Sequence, residues 1–391
     1  MAKNIVFCAD GTWNGPGDAD TETQEVAGST NVLKTFVNLA GKRALSTLKL
    51  SDEEESSCVD DAGQLLQIAK YLNGVGDSDN FLVKVLGGAL GAGLVTRIVR
   101  GYTFISRNYC AGDRIYLVGF SRGAYTARAL AGLICSQGLI DATKVDLVTD
   151  KDVAYRWGSA VWYASRKHAL KLKGDETLLS TLENLVLDLP RFLLSPPPPE
   201  QMIDAPITAI GVWDTVGSLG IPQYNLKTGE HIEALRFTDT QLSNKVGNGY
   251  HAVSLDERRG DFTPTLWIED RPGIRQRLFP GAHADVGGGY PEGAESGLSG
   301  GSLAWMTQQL SEAGVLYAGT PLYLPVPDAT GTAHAPWEEV PWKALPQSPR
   351  VFPELLRKDG LDRSITLRMK AGPVLGWPSA QPGPYAPGNL L

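Results

Sequence analysis

Residues 114–128 read RIYLVGFSRGAYTAR, and at their centre Gly119-Phe120-Ser121-Arg122-Gly123 has the form G-x-S-x-G. Ile115-Tyr116-Leu117-Val118 is a short apolar run with the β-branched and aromatic content of a buried strand. Over 124–139 apolar residues recur at helical spacing. A serine between strand and helix, with glycine two positions to either side, is the layout of a nucleophile elbow. The turn forces the serine into an unusual backbone conformation, and side chains at the two glycines would collide with strand or helix. The hydroxyl then stands above the sheet edge at a helix N-terminus, whose dipole favours developing negative charge. The plainer reading is a glycine-rich turn with an incidental serine; the strand and helix on either side favour catalysis.

Outward from the elbow, strand patterns lie at 4–8, 65–72, 207–213 and 274–279. Helical patterns run from Asn31, read as an N-cap, to about residue 39, then over about 94–109 and 303–313, and 250–259 (YHAVSLDERR) also reads as helical. The acidic run SDEEESSCVDD at 51–61 reads as a solvated loop. Strands alternating with helices predict an α/β fold, a doubly wound and mostly parallel sheet of the α/β-hydrolase-like kind with helical insertions. We expect a single domain over 1–391. Its texture changes at 145–205, where aromatic and basic residues cluster before a leucine-rich helical pattern at 178–194, and this segment is expected to be a helical insertion or lid. Residues 81–93 are a second candidate wall for an acyl chain, and the proline-rich stretch at 318–391 is expected to wrap the surface.

With 391 residues, 42% of them hydrophobic, the chain can bury a sizeable core. The formal net charge of −7 argues against nucleic acid as a partner. Cys8, Cys58, Cys110 and Cys135 show no metal-ligand spacing, and no cofactor or metal is expected. The start, MAKNIVFCAD, is too short and too soon acidic for a signal peptide, which predicts a cytoplasmic protein or export by a signal-free route. Lys84 and Arg97 interrupt the apolar segment 81–99, leaving less than the roughly 20 residues a spanning helix needs.

In open α/β sheets the site forms beyond the carboxyl ends of the strands. Asp10-Gly11-Thr12, Ser121, Asp214 and His283 each follow a strand pattern. An activated serine needs a base, and a carboxylate to orient that base. Ser121, Asp214 and His283 follow the chain order Ser, Asp, His of α/β-hydrolases. Five histidines allow selection by elimination: His168 and His231 lie in polar surroundings and His334 in a surface loop, which leaves His251 as the rival to His283. His283 is favoured because its glycine-flanked loop can bend to the serine, whereas a helical His251 could not. Asp256 and Asp285 are the rivals to Asp214, with Asp285 near enough in sequence to brace the His283 loop. The Arg122 N–H is the expected first oxyanion donor, and Gly11 or Thr12 the second. Asp10 would oppose an oxyanion and is expected to hold its loop or the Arg122 side chain. A phosphatase metal site of Asp10, Asp214 and Asp285 is the less favoured arrangement, since carboxylates alone would bind the ion.

With these residues in hand the chain resembles a family of α/β-hydrolase-like domains that includes the phospholipase effectors of bacterial type VI secretion systems. The resemblance runs through Asp10-Gly11-Thr12-Trp13-Asn14, Gly74-Val75-Gly76, 119–128 with its GFSRGAY start, Trp213-Asp214-Thr215-Val216-Gly217, 251–259 and HADVGGGY at 283–290, covering most of 1–315. It implies a Ser-Asp-His hydrolase with those roles on Ser121, Asp214 and His283, acting on acyl esters, phospholipids first, with transient contact at a membrane surface. The larger secreted effectors carry membrane-engaging modules for which this chain has little room beyond a catalytic core. Two alternatives stay open: another acyl bond (thioester, polyester or peptide) cleaved by the same machinery, and a non-catalytic hydrolase-like binding module.

Overall fold

Along Asn4–Ala9 every residue is buried, and alternate side chains enter different cores. Ile5, Phe7 and Ala9 pack on one side and Val6 and Cys8 on the other. A strand buried on both faces belongs in the middle of a covered sheet. The computed structural model describes residues 2–11, 28–43, 53–74, 89–174, 176, 195–216, 241–340, 342–344, 346–377 and 381–390. In chain order its main elements are β1 (Asn4–Ala9), α1 (Asn31–Asn38), β2 (Lys42–Arg43), β3 (Glu53–Val59), β4 (Leu65–Leu72), α2 (Ala89–Asn108), β5 (Arg114–Phe120), α3 (Arg122–Gln137), α4 (Lys151–Lys173), β6 (Ile207–Trp213), β7 (Val246–Ser254), β8 (Ile274–Phe279), α5 (His283–Gly287) and α6 (Gly297–Glu312).

Among the described residues eight strands form one sheet in the order β8-β7-β6-β5-β1-β4-β3-β2. The six from β8 to β4 are parallel, and β3 and β2 add an antiparallel edge. Helices α2, α3 and α4 bury Ile98, Tyr102, Leu130, Ile134, Val161 and Trp162 against one face. The other face is covered by α1 and α6, through Val32, Phe36, Leu303 and Met306. The chain lays β2 to β4 on one side of β1, then crosses to β5 on the other. The β1/β5 junction is therefore the topological switch point, where the carboxyl ends of strands open a crevice.

Four sequence expectations change. The acidic run at 51–61 holds a strand, β3, next to the sheet edge, because Glu53 and Glu55 meet Lys70 of β4 and Arg100 and Arg107 of α2, with Arg100 2.7 Å from Glu53 and Arg107 2.8 Å from Glu55. The helix cap is Thr30, whose Oγ1 accepts the Leu33 N–H at 3.1 Å, and Asn31 is the first helical residue. Residues 250–254 are strand, because β7 lies between β6 and β8 and is buried on both faces, which erases the alternation that marks a half-exposed strand. His283 opens a five-residue helix instead of sitting in a flexible loop. The pattern at 178–194 and residues 81–88 lie outside the described residues; within 145–205, α4 is a 23-residue helix capped by Asp150. The far end of the chain covers the exposed edge of β8, with Leu278 donating to Gly360 O at 2.7 Å and accepting from Asp362 N–H at 2.9 Å. Phe352, Leu356 and Ile365 pack there on Val253, Leu255 and Leu278.

Gly123 sits where α3 crosses the end of β1, and a Cβ there would lie 2.0 Å from the Ala9 carbonyl oxygen. Gly301, inside α6, has nothing within 4 Å of such an atom. Chemical denaturation should find Gly123→Ala destabilised by about 3 kcal/mol or more. Gly301→Ala should instead gain roughly 0.5–1 kcal/mol.

Candidate active site

The register decides which strand ends meet. Phe120 of β5 pairs with Trp213 of β6, so Ser121 and Asp214 are the next residues on adjacent strands. Both leave the sheet with positive φ, 57° at Ser121 and 34° at Asp214, the only non-glycine residues to do so among those described. The Ser121 N–H donates to Trp213 O at 3.1 Å and the Asp214 N–H to Ala252 O at 2.7 Å, which anchors each bend to the neighbouring strand. A Cβ on Gly119 would meet Gly123 O at 2.5 Å, so the corner around Ser121 closes only with glycine there. Ser121 immediately precedes α3, and Arg122, its first residue, carries an N–H with no acceptor inside the helix.

Asp214 is fully buried and accepts the His283 Nδ1–H at 2.6 Å. Burial alone would raise its carboxyl, but the Arg350 guanidinium and the His283 imidazole outweigh it and hold Asp214 far below the usual carboxylate range. Arg350 donates from its two terminal nitrogens, at 2.7 Å to Oδ1 and 2.9 Å to Oδ2. Burial lowers the His283 imidazole below its ordinary range, opposed by the hydrogen bond and charge of Asp214. With Nδ1 donating to Asp214, its Nε2 is buried and takes no hydrogen bond among the described residues, including from Ser121. The Phe120 ring, on the residue before Ser121, lies 4.6 Å from the imidazole and Phe262 5.0 Å from it on another side. The His283 N–H donates to Glu257 Oε2 at 3.1 Å, and Glu257 is paired with Arg259 at 2.8 Å.

His251 is buried mid-strand and accepts the Thr215 N–H on Nε2 at 3.1 Å, so it braces the residue after Asp214. Burial and then Arg128 push its imidazole down to about 3. Asp285 accepts the Ala282 N–H at 2.8 Å and pairs with His334 at 2.6 Å. His334, expected in a surface loop, is buried and stacks on Tyr290 at 3.4 Å. Asp256 accepts the Gly281 N–H at 2.7 Å and the Tyr385 hydroxyl at 2.8 Å. Asp10 takes the Thr30 and Tyr71 hydroxyls and the Gly11 N–H, each at 2.6 Å. Gly11's donor is therefore engaged by the carboxylate beside it; Thr12 lies outside the described residues. Arg97 of α2 clasps the same rim, donating to Asp10 O at 3.0 Å and Leu72 O at 3.2 Å. The carboxylates of Asp10, Asp214 and Asp285 are thus each spent on different partners. Sequence reading missed Arg350, which follows no pattern in its proline-rich surroundings, and gave Glu257 no role because its partner is 26 residues away.

A family model described as the type VI secretion phospholipase effector Tle1-like catalytic domain matches residues 3–309. An uncharacterized protein of Saccharomyces cerevisiae is 27% identical over 267 residues, 66% of this chain and 32% of its own length. Among solved structures, an uncharacterized protein from Pseudomonas aeruginosa aligns over 83% of this chain and 47% of its own, at 19% identity and TM-score 0.43. The Tle1 effector bound to the VgrG spike of the type VI secretion system aligns over 74% and 51%, at 17% identity and TM-score 0.36. The chain thus spans about a third of the yeast protein and about half of each solved chain.

Asp10 supplies a pH test. Burial raises its carboxyl to about 6, against the lowering effect of its hydrogen bonds and Arg97. A raised carboxyl means that the folded state binds the proton more tightly than the unfolded chain, so this group's contribution to stability is lost as pH rises from about 4 to about 6. Melting temperatures of Asp10→Asn and the parent, measured side by side from pH 4 to 7, should move in the variant's favour across that window and run parallel above it.

Proposed function

The chain belongs to the type VI secretion phospholipase effector Tle1-like catalytic-domain family, and on that premise we propose that it is a serine hydrolase of acyl esters with phospholipid as its substrate class. The observation that carries this reading is the pairing of Ser121, on a strained strand-to-helix corner, with a buried Asp214–His283 hydrogen bond at the next strand end. In the proposed mechanism, His283 Nε2 removes the Ser121 hydroxyl proton as Oγ attacks the ester carbonyl. Asp214 fixes the Nδ1–H tautomer and stabilises the imidazolium. The Arg122 N–H meets the oxyanion, and because the Gly11 N–H is held by Asp10 at 2.6 Å, Thr12 is the other second donor the sequence offers. The imidazolium then returns its proton to the departing alcohol, and water releases the acyl group by the same steps in reverse. The α/β-hydrolase-like assignment of the sheet belongs to this proposal and is supported by the elbow's place at the switch point.

Membership also supports delivery by a signal-free secretion route, and a lipid substrate would bring transient contact with a membrane surface. No helix among the described residues is long and apolar enough to cross a membrane.

A fluorophosphonate should label the parent on Ser121, located by peptide mass spectrometry. Ser121→Ala should keep the parent's circular dichroism and lose ester turnover by about 10⁴-fold or more, with Asp214→Asn falling by a similar factor. Phospholipid and p-nitrophenyl ester panels read the activity, and full turnover in Ser121→Ala would end the proposal.

A further inference from the structure

Arg350 lies 41 positions beyond residue 309, where the match to the catalytic-domain family ends, yet its side chain reaches the carboxyl ends of two central strands. Its segment is threaded there by backbone pairing. Gly260 N–H donates to Pro346 O at 3.1 Å, Ser348 N–H donates to Arg258 O at 2.8 Å, and Phe352 is buried with Val253 and Leu278. From that anchor the guanidinium makes four bonds: to both oxygens of Asp214, to Ser254 O at 2.7 Å and to Phe262 O.

Counting donors on Asp214 shows what this does. Oδ1 receives Arg350 at 2.7 Å and the Ser254 N–H at 2.9 Å. Oδ2 receives Arg350 at 2.9 Å and His283 Nδ1 at 2.6 Å. Each oxygen thus has two donors, which leaves the carboxylate one orientation and His283 one place to dock. The planar fork matters, since an ammonium cannot meet two oxygens of one carboxylate along parallel bonds.

Resting on the hydrolase reading above, we propose that Arg350 is a positioning residue that acts through Asp214 to set both the orientation and the basicity of His283. The electrostatic half follows from charge. Asp214 alone would favour the imidazolium by its full negative charge; paired with Arg350 it forms a neutral unit and favours it less. The other charged pair at His283 is balanced: Glu257, whose Oε2 accepts the His283 N–H, is neutralised by Arg259; Asp285, two residues on, is hydrogen-bonded to His334 Nδ1 at 2.6 Å. Among the described residues Phe120 and Phe262 set their rings against the imidazole and carry no charge. Arg350 therefore keeps the imidazole in its basic form to lower pH than Asp214 alone would allow.

Two variants separate charge from geometry. Arg350→Gln loses the positive charge, and Arg350→Lys keeps it but loses the fork. In full-length protein carrying ¹³C-labelled histidine, with His283→Gln assigning the resonance, His283 should titrate about one pH unit higher in Arg350→Gln than in the parent. It should titrate at the parent's value in Arg350→Lys. On an ester substrate Arg350→Lys should lose about tenfold or more in kcat with KM within about twofold, the mark of a misplaced base and not of lost substrate binding. A purely structural arginine would lower the melting temperature and leave the His283 titration unmoved. An unshifted midpoint in Arg350→Gln, or parental kcat in Arg350→Lys, overturns the proposal, and should Arg350→Gln fail to fold, the Arg350→Lys kinetics decide alone. The titration reads His283 without turnover, so a parent that hydrolyses no ester while the shift is present would sink the hydrolase reading and leave the Arg350 linkage standing.

Discussion

A carboxylate with no access to water has to be neutralised where it stands, and the candidate site of this protein is arranged around that requirement at Asp214. Taking such an ion out of water costs several kcal/mol, and the attraction of a single partner rarely offsets it. Here two arms of a guanidinium, one backbone N–H and one imidazole together fill the oxygens of Asp214. Those donors come from β7, from the helix after β8 and from the chain beyond residue 345, so satisfying one charge draws four separate stretches of sequence together. The position of His283 is a consequence of that convergence.

The sheet register is the second constraint. Ser121 and Asp214 follow residues that face each other across β5 and β6, and each turns out of its strand through a φ that side chains rarely adopt. Such strain costs on the order of 1–3 kcal/mol per residue and persists only where the surroundings over-determine it. The surroundings here are hydrogen bonds from each bend to the adjacent strand, glycines that let α3 close on β1, and His251 holding the residue after Asp214. Arg97 does the equivalent for β1 and β4 by capping their last carbonyls. Residues at the ends of β1, β5, β6 and β7 are each bonded to the neighbouring strand.

The boundary of the family match cuts across this arrangement. Residues 3–309 contain the serine, the carboxylate and the imidazole, while Arg350 and His334, which hold Asp214 and Asp285, come after it. The same stretch seals the edge of β8 and adds its own apolar cluster. In this chain the C-terminal segment is thus bound into the candidate site through buried charge and into the sheet through backbone pairing.

The sequence by itself determined the elements whose signals are local. Glycines at 119 and 123 around Ser121, apolar runs ending in Trp213 and Phe279, and the chain order of Ser121, Asp214 and His283 were legible because sterics and periodicity act over a few residues. It misread 250–254 as helix and 51–61 as loop, since a strand buried on both faces loses its alternation and the carboxylates of β3 are explained only by cations on other elements. Only the tertiary structure told the two candidate histidines apart, by placing His283 on Asp214 and giving His251 a backbone partner, and only it brought in Arg350. The physical reason is the same in both cases: hydrogen bonds and ion pairs spanning 69 and 136 positions leave no trace in local composition.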